Sequence, residues 1–274
     1  MSTATLSIDA LPRRQGWRSL YWMTPIATAW VALTFAVPVI NASGVPMVVS
    51  RLVVHVFIAL GLWLGLERVE LTASQRRTTW LAVMIPLTLW LAVAWSAAIN
   101  GFFSGAGSVP PVSLVRFIPM IIAAPILLGS RRIGQVLDAI PASWIILLQV
   151  FRLQGAVWLF GWAHHTQPAI FALPAGVADV LVGLFAVPVA LALASGSRDS
   201  RRAAIAWNVF GLTDFAFGIT ISTAISLHLI ETGFAAASGG YAAAMITAVG
   251  VPQSILLHLV SLRQLSHRNR AATR

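Results

Sequence analysis

The chain alternates between long apolar runs and short polar connections, and the length of the runs decides the fold class. Eight segments, residues 21–41, 46–66, 80–100, 111–130, 143–164, 168–194, 204–229 and 243–263, are apolar almost throughout. A helix needs about 20 such residues, at 1.5 Å each, to cross ~30 Å of hydrocarbon. A helix also satisfies its own backbone N–H and C=O groups where no water is available. The pattern predicts an all-α fold: a polytopic membrane helical bundle of about eight transmembrane helices. The count falls to six or seven if 46–66 or 111–130 is re-entrant. Each of those two carries an arginine, and the second also has Pro119 and Pro125.

The whole of 1–274 reads as one transmembrane domain, with an N-terminal segment (1–19), the bundle (20–264) and a basic tail (265–274). The first run, Tyr21 to Ile40, exceeds the roughly 7–15 residues of a signal-peptide core and is followed by no small-x-small site, so it is expected to be a span. Two connections carry a pattern of their own. Ile133, Val136, Leu137 and Ile140 follow i, i+3, i+4, i+7 spacing beside Arg131 and Arg132. They predict either a short helix on the inner membrane surface or an ordinary linker. The Gly/Ala/Ser-rich stretch 232–242 is expected to be a mobile outer loop.

Composition agrees with this pattern. The 274 residues are 58% hydrophobic and 9% charged, against about 25% charged in soluble domains. The formal net charge is +10 and all 18 basic residues are arginine. In a soluble protein such a balance points to nucleic acid. Here the arginines flank apolar runs and form no contiguous face, so no nucleic-acid partner is expected. Fourteen lie outside the runs and Arg263 closes the last one, and all fifteen fall at alternate connections: Arg13, Arg14 and Arg18; Arg68, Arg76 and Arg77; Arg131 and Arg132; Arg198, Arg201 and Arg202; Arg263, Arg268, Arg270 and Arg274. The positive-inside rule places both termini and 67–79, 131–142 and 195–203 in the cytoplasm, and 42–45, 101–110, 165–167 and 230–242 outside. Trp22, Trp80, Trp144 and Trp207, near the cytoplasmic starts of alternate spans, fit the aromatic belt. The lipid bilayer is the expected partner, with anionic lipid at the cytoplasmic arginines; no protein partner can be named.

Chemistry is bounded by what is missing from the composition. Without cysteine there is no disulfide, thiolate or cysteine-held metal centre. Without lysine there is no retinal Schiff base, and no nucleotide-binding loop is present.

Three ionisable residues lie deep in neighbouring spans. Arg152, Asp179 and Asp214 are nine, eleven and ten residues into spans five, six and seven. At 1.5 Å per residue each is roughly 14–16 Å from a membrane edge. Charges at that depth normally face the bundle interior and pair, and the simplest arrangement puts Arg152 between the aspartates. Gly176-x-x-Asp179-x-x-x-Gly183 recurs as Gly211-x-x-Asp214-x-x-x-Gly218. Offsets of −3 and +4 put the glycines on the aspartate face, where small residues allow close helix approach. One arginine and two carboxylates sum to −1. The cluster is suited to hold an exchangeable proton or a cation, or it is a satisfied ion triad that fixes helix register. Gln149, Gln154 and Asn208 are supporting donors or helix-packing groups.

A second group lies toward the outer half: Arg51, His55, Arg116, His164, His165 and His228. It predicts an anion-attracting cavity or a metal or haem site, or else snorkelling and interfacial side chains. Its metal, if any, is unknown. His258 is expected to be a hydrogen-bonded packing residue.

The pieces Val150-Phe151-Arg152, Phe171-Ala172-Leu173-Pro174-Ala175-Gly176 leading to Asp179, Trp207-Asn208 leading to Gly211 and Asp214, and Leu257-His258 leading to Leu262-Arg263 resemble a group of uncharacterised bacterial multi-pass membrane proteins. The resemblance covers Pro141 to Arg263. It implies a bacterial inner-membrane protein and no particular activity. Three functions stay open: a proton- or cation-coupled secondary transporter, a membrane redox or metal protein, and a non-catalytic subunit, sensor or assembly factor. No catalytic residue is assigned, an enzyme is the less favoured class, and no cofactor is expected, with haem or metal the alternative.

Overall fold

The computed structural model describes residues 15–36, 45–104, 111–197, 199–232 and 241–272. The described chain is helical with no strand. Its elements are α1 (Gln15–Arg18), α2 (Leu20–Ala36), α3 (Val45–Glu67), α4 (Ala73–Ile99), α5 (Pro111–Val115), α6 (Phe117–Gly129), α7 (Arg131–Ala139), α8 (Ala142–Leu147), α9 (Ala156–Ala163), α10 (Ala169–Ala194), α11 (Ser200–Ser226), α12 (Tyr241–Met245) and α13 (Val251–Ala272). A 3₁₀ run, Leu148–Gly155, joins α8 to α9, and a π turn, Ile246–Gly250, joins α12 to α13.

Six helices are long and apolar enough to cross a membrane: Val49–Glu67, Ala73–Ile99, Ala142–Ala163, Ala169–Ala194, Ser200–Ser226 and Ala243–Ser266. They match six of the eight predicted runs, as a multi-pass membrane protein requires. Large apolar side chains stand on the surface, among them Leu89, Val93, Ile121 and Leu229. Water would not tolerate so extensive a patch.

Of the other two runs, one is described only in part and one differs from expectation. The described part of the first is α2, 17 residues that start at Leu20. The fourth is not one straight helix. It breaks at Arg116 between α5 and α6, and α6 then meets α7 at 83°. Ser130 makes that corner. Its extended backbone ends α6, and its hydroxyl accepts from the Ile133 N–H at 3.3 Å to begin α7. The predicted 133–140 helix is therefore present, but Val136, Leu137 and Ile140 are buried within the protein. Gln264 donates to the Leu137 carbonyl and, at 2.9 Å, to that of Ile140. Arg263 donates to the Leu127 carbonyl at 2.7 Å and pairs with Asp138 at 3.5 Å. The last helix runs on through Ala272, beyond the predicted end of the bundle. Most of the 232–242 loop lies outside the described residues.

Contacts gather the arginine-bearing connections at one end of the bundle. Arg68 donates to the Ala139 carbonyl at 3.2 Å, Arg263 reaches Asp138, and Arg201 donates to the Leu265 carbonyl at 3.0 Å. Gly16 lies against Ala192. The opposite end joins Ser113 to Ser226 through their hydroxyls at 3.2 Å. Helix α10 is central, touching α1, α2, the 3₁₀ run, α8, α9 and α11.

Tryptophans fasten the helices together. Trp80 donates to the Ala59 carbonyl at 3.1 Å, Trp144 to that of Phe57 at 3.4 Å, and Trp207 to that of Val182 at 3.1 Å. Trp207 is buried, so it anchors neighbouring helices and does not sit in an exposed belt.

Candidate functional site

The 3₁₀ run sets the position of Arg152. In a 3₁₀ helix residues three apart eclipse one another, and runs beyond three or four residues are uncommon. Here eight residues adopt it, and Gln149, Arg152 and Gly155 form its buried face. Gln149 is tied to Ser254 of α13, donating to its carbonyl at 3.0 Å and accepting from its hydroxyl. Gly155 leaves room for Asp179: a Cβ there would overlap the aspartate side chain.

Arg152 is 3% exposed. Its Nε donates to Asp179 Oδ1 at 2.6 Å and its Nη2 to Asp214 Oδ2. It therefore lies between the two aspartates, from α10 and α11. Nη1 reaches the Gly211 carbonyl at 3.5 Å and His258 Nε2 at 3.2 Å. The guanidinium lies 4.0 Å from the centroid of the Phe215 ring, a cation–π geometry.

The network continues away from the charges. Because Arg152 can only donate, His258 Nε2 accepts, and Nδ1 donates to Asn208 Oδ1 at 2.9 Å. The Asn208 amide then donates to the Ala204 carbonyl at 2.7 Å and to Ser261 Oγ at 3.0 Å. His258 and Asn208 are fully buried.

The four glycines separate into two roles. A Cβ on Gly176 would come within 2.7 Å of Leu159, and one on Gly183 within 2.6 Å of the Leu153 amide. One on Gly211 would strike His258 and lie 3.1 Å from Arg152 Nη1. These three are close-packing positions. Gly218 has open space, with Phe171 nearest at 3.8 Å.

That space belongs to a cavity of about 80 Å³, which Asp179, Asp214, Trp158, Phe171, Phe215 and Arg116 help to line. A water site needs roughly 10–15 Å³, so several waters fit. The cavity extends to Gln167, Pro168 and Ser226 at the arginine-poor end. On α11 its lining includes Asp214, Gly218, Ser222 and Ser226, one residue in four along one face. That polar strip was readable from spacing alone, and the sequence reading missed it. It also missed Gly155 and the place of His258 beside Arg152.

The outer basic and histidine group does not assemble as one site. Arg116 is buried and donates to Ser222 Oγ at 3.0 Å, Thr223 Oγ1 at 2.6 Å and the Ile219 carbonyl at 3.4 Å. Arg51 is also buried; it donates to Gln154 Oε1 at 3.1 Å and lies 4.2 Å from the Phe151 ring centroid. Arg51 and His55 share a separate cavity of about 30 Å³ with Trp90 and Gln253. His55 hydrogen-bonds Thr88 at 3.0 Å. His164 packs against Phe160 with the rings tilted by 43°, and His165 and His228 sit in left-handed turns with φ of 53° and 55°. Among the described residues no group of three or more His, Asp or Glu could hold a metal ion.

A family model described as a domain of unknown function, DUF8737, matches residues 109–266, and the chain belongs to that family. The match begins at the broken helix and includes Arg116, Arg152, Asp179, Asp214 and His258. No curated protein and no solved structure matches the chain.

Proposed function

We propose that this chain is a secondary carrier of a bacterial inner membrane, in which Asp179 and Asp214 take up and release a proton or cation opposite Arg152. It crosses the bilayer eight times with both ends cytoplasmic, and its cytoplasmic arginines rest on anionic lipid. The alternation of arginine-bearing and arginine-free connections supports that orientation.

One observation carries the reading: the cavity from the arginine-poor end reaches both carboxylates of the charge cluster. A triad that only fixed register would gain nothing from such access. With both acids ionised the triad is one negative charge in excess, and a proton or cation arriving through the cavity removes it. On the other side of the cluster the bundle is packed by buried Ile146, Val182, Ala186, Ala204, Trp207 and Leu265. A site reached from one end and sealed from the other is one state of an alternating-access carrier.

The test is flux in proteoliposomes under an imposed pH or sodium gradient, read with an internal indicator dye. Wild-type vesicles are expected to exceed empty ones, and Asp214→Asn to lose that flux while inserting in normal yield. Wild-type vesicles no leakier than empty ones, or undiminished flux in Asp214→Asn and Asp179→Asn, would overturn the reading and leave the triad structural.

A further inference from the structure

The same cavity is bipolar, and the geometry points to its occupant: we infer that it binds a small zwitterion carrying an ammonium and a carboxylate, on the scale of a short amino acid. This inference rests on the cavity of the proposed carrier and goes further by naming what the cavity selects.

The positive end is Arg116. It is 4% exposed, and no carboxylate of the described residues lies within ion-pair distance. Its nearest partners are two hydroxyls and one carbonyl, and its Nε has no hydrogen-bond partner. A buried guanidinium held only by neutral groups keeps its charge uncompensated and recognises carboxylate geometry well. The negative end is Asp179 and Asp214. Asp214 gives one oxygen to Arg152, which leaves its other for a second donor, while Asp179 gives one to Arg152 and also accepts from the Trp158 side chain. Trp158, Phe171 and Phe215 line the cavity at this end, and aromatic faces beside carboxylates suit an ammonium group.

A ligand with a single charge meets only one end. An anion alone would pair with Arg116 and leave Asp214 without a second donor, and a cation alone would do the reverse. Arg51, whose charge acts on Asp179 from outside the cavity lining, offsets part of the triad's excess. A zwitterion meets both ends in one binding event.

The register of α11 sets its size. Arg116 bonds to Ile219, Ser222 and Thr223, centred about seven residues beyond Asp214, or roughly 10 Å along the helix. Two hydrogen-bond contacts of about 3 Å leave ~4 Å between the ligand's charges. That spans α- to γ-amino acids.

The experiment is calorimetric titration of the purified full chain in lipid nanodiscs with glycine, β-alanine and γ-aminobutyrate, and with ethylamine and acetate as single-charge controls. At least one zwitterion is expected to bind ten-fold or more tightly than either control. Arg116→Gln is expected to weaken it at least ten-fold and to erase its advantage over ethylamine. Gly218→Leu, placed where a side chain has room to enter the cavity, is expected to abolish binding even if Arg116→Gln fails to fold. Controls that bind as well as the zwitterions, no binding by any of the three, or full affinity in Gly218→Leu would overturn the inference. Binding without flux would defeat the carrier and leave the ligand class standing. Dye-detected flux lost in Asp214→Asn, with no zwitterion bound, would do the opposite.

Discussion

Arg152 touches two carboxylates, a carbonyl, an imidazole and an aromatic face, so its removal strands two buried charges at once. Arg152→Met leaves both aspartates buried without their cation. Removing one partner of a buried pair costs about 3–5 kcal/mol. A large fall in melting temperature in detergent is expected, with partial recovery when Asp179→Asn is added. The glycines give a second contrast. Gly155→Ala and Gly211→Ala push a Cβ into Asp179 and His258 respectively, and overpacking of that kind costs about 1–3 kcal/mol. Gly218→Ala meets nothing closer than 3.8 Å and is expected to stay within about 0.5 kcal/mol of wild type; denaturation midpoints will separate the three. The repeated Gly-x-x-Asp-x-x-x-Gly pattern marked all four glycines as equivalent. Only the neighbouring helices distinguish them. Arg152, Asp179 and Asp214 were legible because an ionised group in hydrocarbon needs a partner and depth follows from residue number. Gly155 was not, because its role follows from a three-residue period that no apolar pattern announces.

The elements show where composition ceases to predict shape. A stretch can be apolar enough to cross a bilayer and still turn, and residues 111–139 do so through 83°. The corner is held from outside by Arg263, bonded to the Leu127 carbonyl on one side and to Asp138 on the other. Arg263→Ala removes both ties. Faster hydrogen exchange across α7 is expected, with α10 unchanged as an internal control. Trp207 illustrates the same limit. Its place near a span start read as interfacial, but the indole is used on the Val182 carbonyl within the protein. Trp207→Phe is expected to cost about 1 kcal/mol for the lost bond, measurable as a lower unfolding midpoint in mild detergent.

For the whole molecule, location was easier to read than contact. Hydrophobic length alone located the six helices that are long and apolar enough to cross a membrane, because hydrocarbon thickness is a fixed ruler. Which helices touch was not readable, and α10 at the centre of the bundle shows no compositional sign of its position. Orientation is open to direct measurement, since the natural sequence has no cysteine. Ser74→Cys, at the arginine-rich end, and Ala163→Cys, at the other, are both on exposed residues. A membrane-impermeant maleimide is expected to label Ala163→Cys on intact cells and Ser74→Cys only after lysis.

The wide turn at Ile246–Gly250 has a mechanical consequence. It winds a surplus residue into the last rod, so the phase of everything beyond it depends on that surplus being kept. Taking one residue out would swing the distal half by about 100° about its axis. His258 would be carried away from Arg152, and the imidazole would be unlatched from the guanidinium without any change to either side chain.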